Sequence, residues 1–324
     1  EAIESRQKKV QWFMNHPQVH ESWTLLLSSI QDIERLLGKI CGKFHSPKDA
    51  LALKISLDGL VDLESKIGAL GSDFFDEVSQ FHAVFAPLSL LQDQLSKALL
   101  EDVPSHIRDG GIFKEGHSEE LDSLCQSFQD IRSWIQDLEP SCREKLGIKS
   151  LKVGYNKVFG YYIEVPTSQQ DKVPDHFIRK QTLTNAERYI TPVLKEKETI
   201  LLNAQAQQAS LEQGLYLELV QLIADHGAHI QGLAKCLSSI DVIQSFAQVA
   251  LTHQMVCPRI SNTDNQQLNI RGLWHPMIAV EESCIRNDIH MSSDQPFMII
   301  TGPNMAGKST LMRSVAIAVI CGQI

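Results

Sequence analysis

The sequence predicts a multidomain chain that is mainly α-helical, interrupted once by a small β-rich insertion and followed by the first part of an α/β unit. Three observations carry that expectation. Apolar residues recur at helical spacing over most of the first 255 positions. Residues 151–165 are instead β-branched, aromatic and punctuated by glycine. Near the end, an apolar run at 297–301 leads into a glycine-bounded loop and then an apolar, helix-like segment.

Composition sets the bounds. A length of 324 residues suits about two domains, and 43% hydrophobic content is enough for sizeable cores. The formal charge of −9 gives no global attraction to nucleic acid, so any such contact needs a local basic patch. Cys41, Cys125, Cys142, Cys236, Cys257, Cys284 and Cys321 are odd in number, scattered and without metal-site spacing. Reduced thiols in a cytoplasmic protein follow from that usage. No apolar run reaches membrane-spanning length, so no membrane partner is expected. The first residues are polar and acidic and lack an initial Met, which suggests a fragment cut at both ends.

Taken in order, Leu26, Ile30, Ile33, Leu37 and Ile40 predict a helix ending near Gly42. Ser46-Pro47-Lys48-Asp49 reads as an N-cap, a proline at the first helical position and a capping-box carboxylate. Leu51, Ile55, Leu63 and Ile67 give that second helix an apolar face, and a third stretch runs from about Pro87 to Leu100. Pro104 and Asp109-Gly110-Gly111 break the pattern. Leu121, Leu124, Phe128, Ile131, Ile135 and Leu138 then step by three and four until Pro140, a stripe that helix packing explains without a cofactor.

Residues 151–165 predict strands joined by a turn near Asn156-Lys157. The surrounding segment is locally basic: Lys149, Lys152, Lys157, Arg179, Lys180, Arg188, Lys195 and Lys197 outnumber the acids Glu164, Asp171, Asp175, Glu187 and Glu196. Two readings stand side by side here. Basic residues interleaved with aromatics suit a phosphate-backbone contact, and a solvated β insertion whose aromatics form a minicore has the same composition. Helical periodicity returns through Ile200, Ala204, Leu211, Leu215, Leu219 and Ile223, then through Ile230, Leu233, Leu237 and Ile240. Cys257-Pro258 ends it, and short segments at 267–270 and 277–280 precede the strand expected at 297–301. The switch to α/β character sets a boundary near residue 256.

The candidate phosphate site is Gly302, Pro303, Asn304, Met305, Ala306, Gly307, Lys308, Ser309 and Thr310. Glycines let backbone N–H groups close around phosphates, and the following helix points its positive end at them. Lys308 would reach the β/γ-phosphates of ATP or ADP, and the Ser309 hydroxyl would ligate Mg²⁺. A surface loop matching by chance is the competing reading. His275 beside Pro276 reads as packing in preference to a nucleotide contact, Asp241 as a helix-surface residue, and the other histidines lack metal-ligand spacing. No nucleophile–base pair or glycosidase-like carboxylate pair assembles.

These motifs together resemble the DNA mismatch repair ATPases of the MutS type. Residues 301–310 resemble the family's own form of the phosphate loop. Leu151–Asn156 with Gly160–Ile163 is similar to its clamp, and Arg179–Ile190 to the passage from clamp to lever helix. Asp32–Leu36 and Arg108–Gly111 match the first lever segment, and Gly272–Pro276 the start of the ATPase domain. The resemblance implies a helical lever or core over 1–131, a DNA-backbone clamp over 132–191, lever helices again over 192–255, and the N-terminal part of a P-loop ATPase domain over 256–324. It implies ATP/ADP and Mg²⁺ as cofactors and double-stranded DNA with mismatches or small loops as partner. It further implies a homodimer formed through C-terminal parts and a downstream repair factor of the MutL type. Lys157, Arg179 and Lys180 are the DNA-contact candidates.

Two departures stand out. Many family members carry an adenine-stacking aromatic three residues before the position of Asn287, where this chain has Cys284, and Ala306 replaces a glycine found in some. The family's mismatch-reading and connector domains, its Mg²⁺-coordinating Asp, catalytic Glu and dimerisation helices have no counterpart in the sequence. The expected function is therefore ATP-regulated recognition of mispaired or looped DNA by a DNA-dependent ATPase parent. The fragment itself is expected to bind DNA backbone and at most part of a nucleotide, without turnover. A MutS-like protein acting on branched or recombination DNA, and a non-enzymatic DNA-binding or scaffold fragment, are the alternatives.

Overall fold

The computed structural model describes residues 2–43, 46–156, 158–260, 267–277 and 285–324. Its helices are α1 (Ala2–Asn15), α2 (Pro17–Ser29), α3 (Ile33–Ile40), α4 (Pro47–Asp58), α5 (Leu60–Gly68), α6 (Phe75–Ala98), α7 (Glu119–Leu146), α8 (Pro192–Asp225), α9 (Gly227–His253) and α10 (Lys308–Gln323). Strands β1 (Lys152–Asn156), β2 (Gly160–Pro166), β3 (Ile178–Thr182) and β4 (Ala186–Ile190) form one antiparallel sheet, and β5 (Leu268–Leu273) pairs with β6 (Asn287–Met291). The chain is thus mainly helical with a small antiparallel sheet inserted between long helices, as its periodicity predicts.

Local chemistry divides two of the predicted helices. The first breaks at residues 30–32, because Asp32 accepts a hydrogen bond from the Arg35 amide and caps a new helix, α3. The second divides at Gly59 into α4 and α5. Ser46 caps α4 as expected, accepting from the Lys48 amide, while Asp49 lies 3.6 Å from Lys39 Nζ. The buried face of α4 is Ala50, Leu53 and Leu57, and Ile55 is half exposed. Both sides of that helix are apolar enough to qualify, and packing selects one.

Two prolines expected at helix ends lie inside helices instead. α6 begins at Phe75, twelve residues before Pro87, and α7 runs through Pro140 to Leu146. An interior proline costs about 3 kcal/mol, but Phe81, Val84, Leu88, Leu91 and Leu95 form one continuous buried stripe across Pro87. Several buried apolar side chains outweigh one lost amide bond. Gly147, at φ +61, ends α7, with its amide on the Arg143 and Glu144 carbonyls.

The chain divides into two compact units. The larger holds residues 26–69 and 76–238. In it α7 and α8 carry the sheet on one shared core of Ile131, Ile135, Ile148, Leu151, Ile163, Val165, Tyr189, Leu194 and Leu201. Its other fixed point is Glu212 of α8, which is 1% exposed. The carboxylate accepts from the amides of Gly111 (3.0 Å) and Ile112 (2.9 Å) and from Gln208 Nε2 (2.9 Å). Gly110, at φ +67, brings the loop close enough, since a Cβ there would stand 3.3 Å from the same oxygen. The Asp109-Gly110-Gly111 breaker is therefore a docked loop.

The smaller unit holds residues 1–25, 70–75 and 239–324. It buries Phe13, Trp23 and Phe74, with Trp12 edge-on to the Phe13 and Phe74 rings. His20 Nε2 meets the Gln244 carbonyl oxygen at 3.0 Å. Leu273 and Ile289 are buried on the β5–β6 pair.

Replacing Glu212 with alanine leaves the buried Ile112 amide and the more exposed Gly111 amide without this acceptor. The expected loss is about 3 kcal/mol of unfolding free energy, measured by urea titration, and a loss under about 0.5 kcal/mol would contradict the docking role.

Candidate nucleic-acid interface and phosphate loop

The four-stranded sheet has the order β1-β2-β4-β3. Alternation along each strand divides its side chains between two faces. Ile163 and Val165 of β2, opposite Tyr189 and Glu187 of β4, face the core, and all four are buried. Lys152, Tyr162, Glu164, Arg188 and Gln181 occupy the other face by register. Arg188 organises that face: its Nε donates to Glu164 (3.0 Å), its Nη1 to Gln181 (2.9 Å), and its guanidinium lies 4.3 Å from the Tyr162 ring centroid. Gly154 makes room for Tyr162, because a Cβ there would come within 2.8 Å of the ring.

The aromatic residues serve both of the readings that composition left open. Tyr161, Phe177 and Tyr189 belong to the shared core, whereas Tyr155, Val158 and Phe159 are exposed around the β1–β2 turn. Asn156 starts that turn, accepting from the Val158 amide at 2.8 Å.

The DNA-contact candidates fare differently. Lys157 lies outside the described residues. Arg179 and Lys180 sit side by side on the edge strand β3, where the pairing steps from Arg179↔Tyr189 to Gln181↔Arg188. Lys180 is thus the extra residue of a bulge, exposed and re-aimed by it. Arg179 is largely exposed, yet its Nη1 is 3.0 Å from Glu187 Oε1, so part of its charge is already balanced. Lys172, exposed at the end of the 3₁₀ segment Thr167–Lys172, is a further cation that the motifs did not single out. Arg188, though basic, is committed within the sheet.

Glu187 couples this edge to the core. The Tyr189 hydroxyl donates to it, and that bond, followed by the Arg179 bond and charge, holds its carboxyl below the usual range against the opposing effect of burial. Burial first, then the Glu187 hydrogen bond, pushes the Tyr189 hydroxyl up to about 12.

Residues 302–310 form an exposed turn leading into α10, which starts at Lys308 as the motif predicts. Gly307 at φ +85 is the N-cap, and Met305 takes φ +69 with its side chain fully exposed. The Ala306 amide donates to Pro303 O and the Leu311 amide to Gly307 O. Lys308 Nζ folds back on the loop, donating to the carbonyls of Gly302 and Pro303 at 2.6 Å each. Gly302–Gly307 and Ser309 are exposed. A helix N-terminus, an open loop backbone, a lysine and a hydroxyl form a donor set that fits a nucleotide phosphate with Mg²⁺.

The strand expected at 297–301 does not form. Residues 296–300 have no regular structure, and Phe297 and Ile299 are almost fully exposed. A strand exists only through its ladder, and none of the described residues pairs with this run. His275 is half-buried and its Nδ1 accepts from the Met277 amide, a local turn contact. Asp241 is exposed on α9. Cys284 and most of the segment expected at 277–280 lie outside the described residues.

A family model described as MutS family domain IV matches residues 116–207, the span that comprises α7, the sheet and the first part of α8. The DNA mismatch repair protein MutS of Caldanaerobacter subterraneus subsp. tengcongensis is 39% identical over 99% of this chain, which covers 37% of that relative. The chain belongs to the MutS family. Two further MutS proteins agree, from Methanothrix thermoacetophila (38% identical over the whole chain, 38% of the relative) and Halalkalibacterium halodurans (39% over 99%, 37% of the relative). The chain therefore spans rather more than a third of the length of these MutS relatives. Among the described residues no helix is long and apolar enough to cross a membrane.

The Glu187–Tyr189 pair predicts a two-sided pH dependence. A carboxyl lowered in the fold contributes stability above its ordinary value of 4.5 and loses it as pH falls through the lowered value. A raised tyrosine contributes fully below 10.0 and loses its contribution as pH rises towards about 12. The stability difference between the wild type and Glu187→Gln should therefore shrink as pH falls below about 4.5. Urea unfolding across that range checks it, and a constant difference would contradict it.

Proposed function

We propose that the chain is the segment of an ATP-regulated mismatch-recognition protein that joins a DNA-backbone clamp to the phosphate loop controlling it. The observation that carries this reading is the similarity along 99% of the chain to proteins named DNA mismatch repair protein MutS. That similarity spans the cationic sheet and the phosphate loop together. In this reading residues 1–131 are the first helical lever, 132–191 the clamp, 192–255 the returning lever helices and 256–324 the start of the P-loop ATPase domain.

The clamp contact is sequence-independent. Lys180 and the exposed part of Arg179, with Lys157 as the third candidate, supply charge for phosphates, and the two side chains of this edge able to pair bidentately with a base, Arg179 and Gln181, are held by Glu187 and Arg188. Duplex DNA with mispairs or small loops is the partner, and the mispair itself is read elsewhere in the whole protein.

At the loop, Lys308 would exchange its two bonds to Gly302 O and Pro303 O for the β/γ-phosphates, the N–H groups of 304–310 would surround them, and Ser309 would ligate Mg²⁺. ATP bound there supplies the phosphoryl group whose hydrolysis the whole protein carries out, as a homodimer that engages a repair factor of the MutL type. Because the side-chain bonds of the half-buried Lys308 go to its own loop, its removal spares the sheet read as the DNA clamp.

Three outcomes follow for the protein isolated at its natural length. It binds a mispaired duplex more tightly than a paired one at fixed salt; equal affinity sinks the reading. Lys180→Ala weakens binding to all duplexes alike and reduces the slope of log K against log salt by about one. Lys308→Ala abolishes nucleotide binding or turnover and leaves nucleotide-free DNA affinity largely intact, as equilibrium titration with each ligand would report.

A further inference from the structure

Two of the backbone amides that the sheet leaves outside its ladder are received by glutamates, one from each flanking helix. β1 is an edge strand, so alternate N–H groups point away from β2. The amide of Val153 donates to Glu139 Oε2 of α7 at 2.8 Å. β2 pairs with β4 only from Ile163 to Pro166, so Tyr161 lies past the end of that ladder. Its amide donates to Glu198 Oε1 of α8 at 3.0 Å. Each carboxylate has a cation about one turn away on its own helix: Arg143 Nη2 stands 2.7 Å from Glu139 Oε1, and Lys195 Nζ 2.6 Å from Glu198 Oε2. Arg143 adds a bond from its Nε to the Leu151 carbonyl at 2.7 Å.

Gly160 shows how closely the α8 side fits. It sits at φ +79, and a Cβ there would stand 1.7 Å from Glu198 Oε1. Glu198 itself is 3% exposed. The apolar core beneath the sheet supplies non-directional attraction to the helices. The two carboxylate–amide bonds are directional, and they meet neighbouring strands of one hairpin from two different helices.

We propose that Glu139 and Glu198 are positioning residues that lock the β1–β2 hairpin at one orientation on the α7–α8 pair, so that the sheet's cations meet DNA phosphates in a fixed register. The DNA half of this proposal rests on the reading of the sheet as the clamp. The locking half rests on the hydrogen bonds alone.

The sign of the effect separates positioning from charge. Removing a carboxylate near a DNA-binding surface strengthens binding if the group acts only through its charge. Positioning predicts the opposite. In the protein at its natural length, Glu139→Ala and Glu198→Ala should each bind a paired duplex about tenfold more weakly at about 0.15 M salt, with a slope of log K against log salt shallower by about one. Glu139→Gln and Glu198→Gln keep an oxygen acceptor and lose the charge, so they should bind at least as well as the wild type. If Glu198→Ala does not fold, Glu198→Asp, one methylene short of the Tyr161 amide, takes its place. Hydrogen exchange supplies an arm free of DNA: the Val153 and Tyr161 amides should lose protection in the respective alanine variants while the β2–β4 ladder keeps it.

Folded alanine variants that bind as tightly as the wild type or tighter overturn the proposal, as do amides that stay protected. A wild type that binds no duplex at low salt refutes the clamp reading. The exchange arm then decides the lock alone, with lost protection supporting it and retained protection rejecting it.

Discussion

A backbone amide that no helix or ladder reaches must still find an acceptor, and in the larger unit buried glutamates meet that requirement. Glu198 receives Tyr161, Glu212 receives Gly111 and Ile112, and the more exposed Glu139 receives Val153. An unpaired buried amide costs more than an ordinary hydrogen bond contributes, so each of these carboxylates holds its segment with more force than its single bond suggests. Glu198 and Glu212 stand about four helical turns apart on α8, which brings them close to one line along the helix. That line joins the sheet at one end and the Asp109-Gly110-Gly111 loop at the other. α8 is a spine to which irregular segments are fastened by charge-assisted bonds.

The same economy shapes the sheet's surface. Its basic excess is a property of the sequence, but the fold assigns much of that charge to internal partners. Arg188 is absorbed by Glu164, Gln181 and the Tyr162 ring, Lys195 by Glu198, and Arg179 in part by Glu187. Among the described residues a thinner set of lysines has no ion pair, with Lys180 turned outward by a bulge.

Much of this was legible in one dimension. The stripe from Leu121 to Leu138, the glycine-punctuated strands and the Gly307–Lys308 helix start follow from periodicity and turn chemistry. Helix ends were less legible where burial outweighed a local breaker, as at Pro87 and Pro140. The strand before the phosphate loop was misjudged because an apolar run contains no information about whether a neighbouring strand is there to pair with it. Glu139, Glu198 and Glu212 passed unnoticed, since a glutamate on a helix reads as solvated until the fold brings an unpaired amide beneath it.

By itself the sequence determined the alternation of long helices with one small sheet and the resemblance to the MutS family. Those features depend on neighbours within a few positions, where spacing and residue type suffice. Only the tertiary structure decided which cations remain free, which glycines are irreplaceable and which carboxylates lock the sheet to its helices. The carboxylate–amide contacts join residues 14 to 101 positions apart, and a pattern of side chains along the chain does not encode which of them meet.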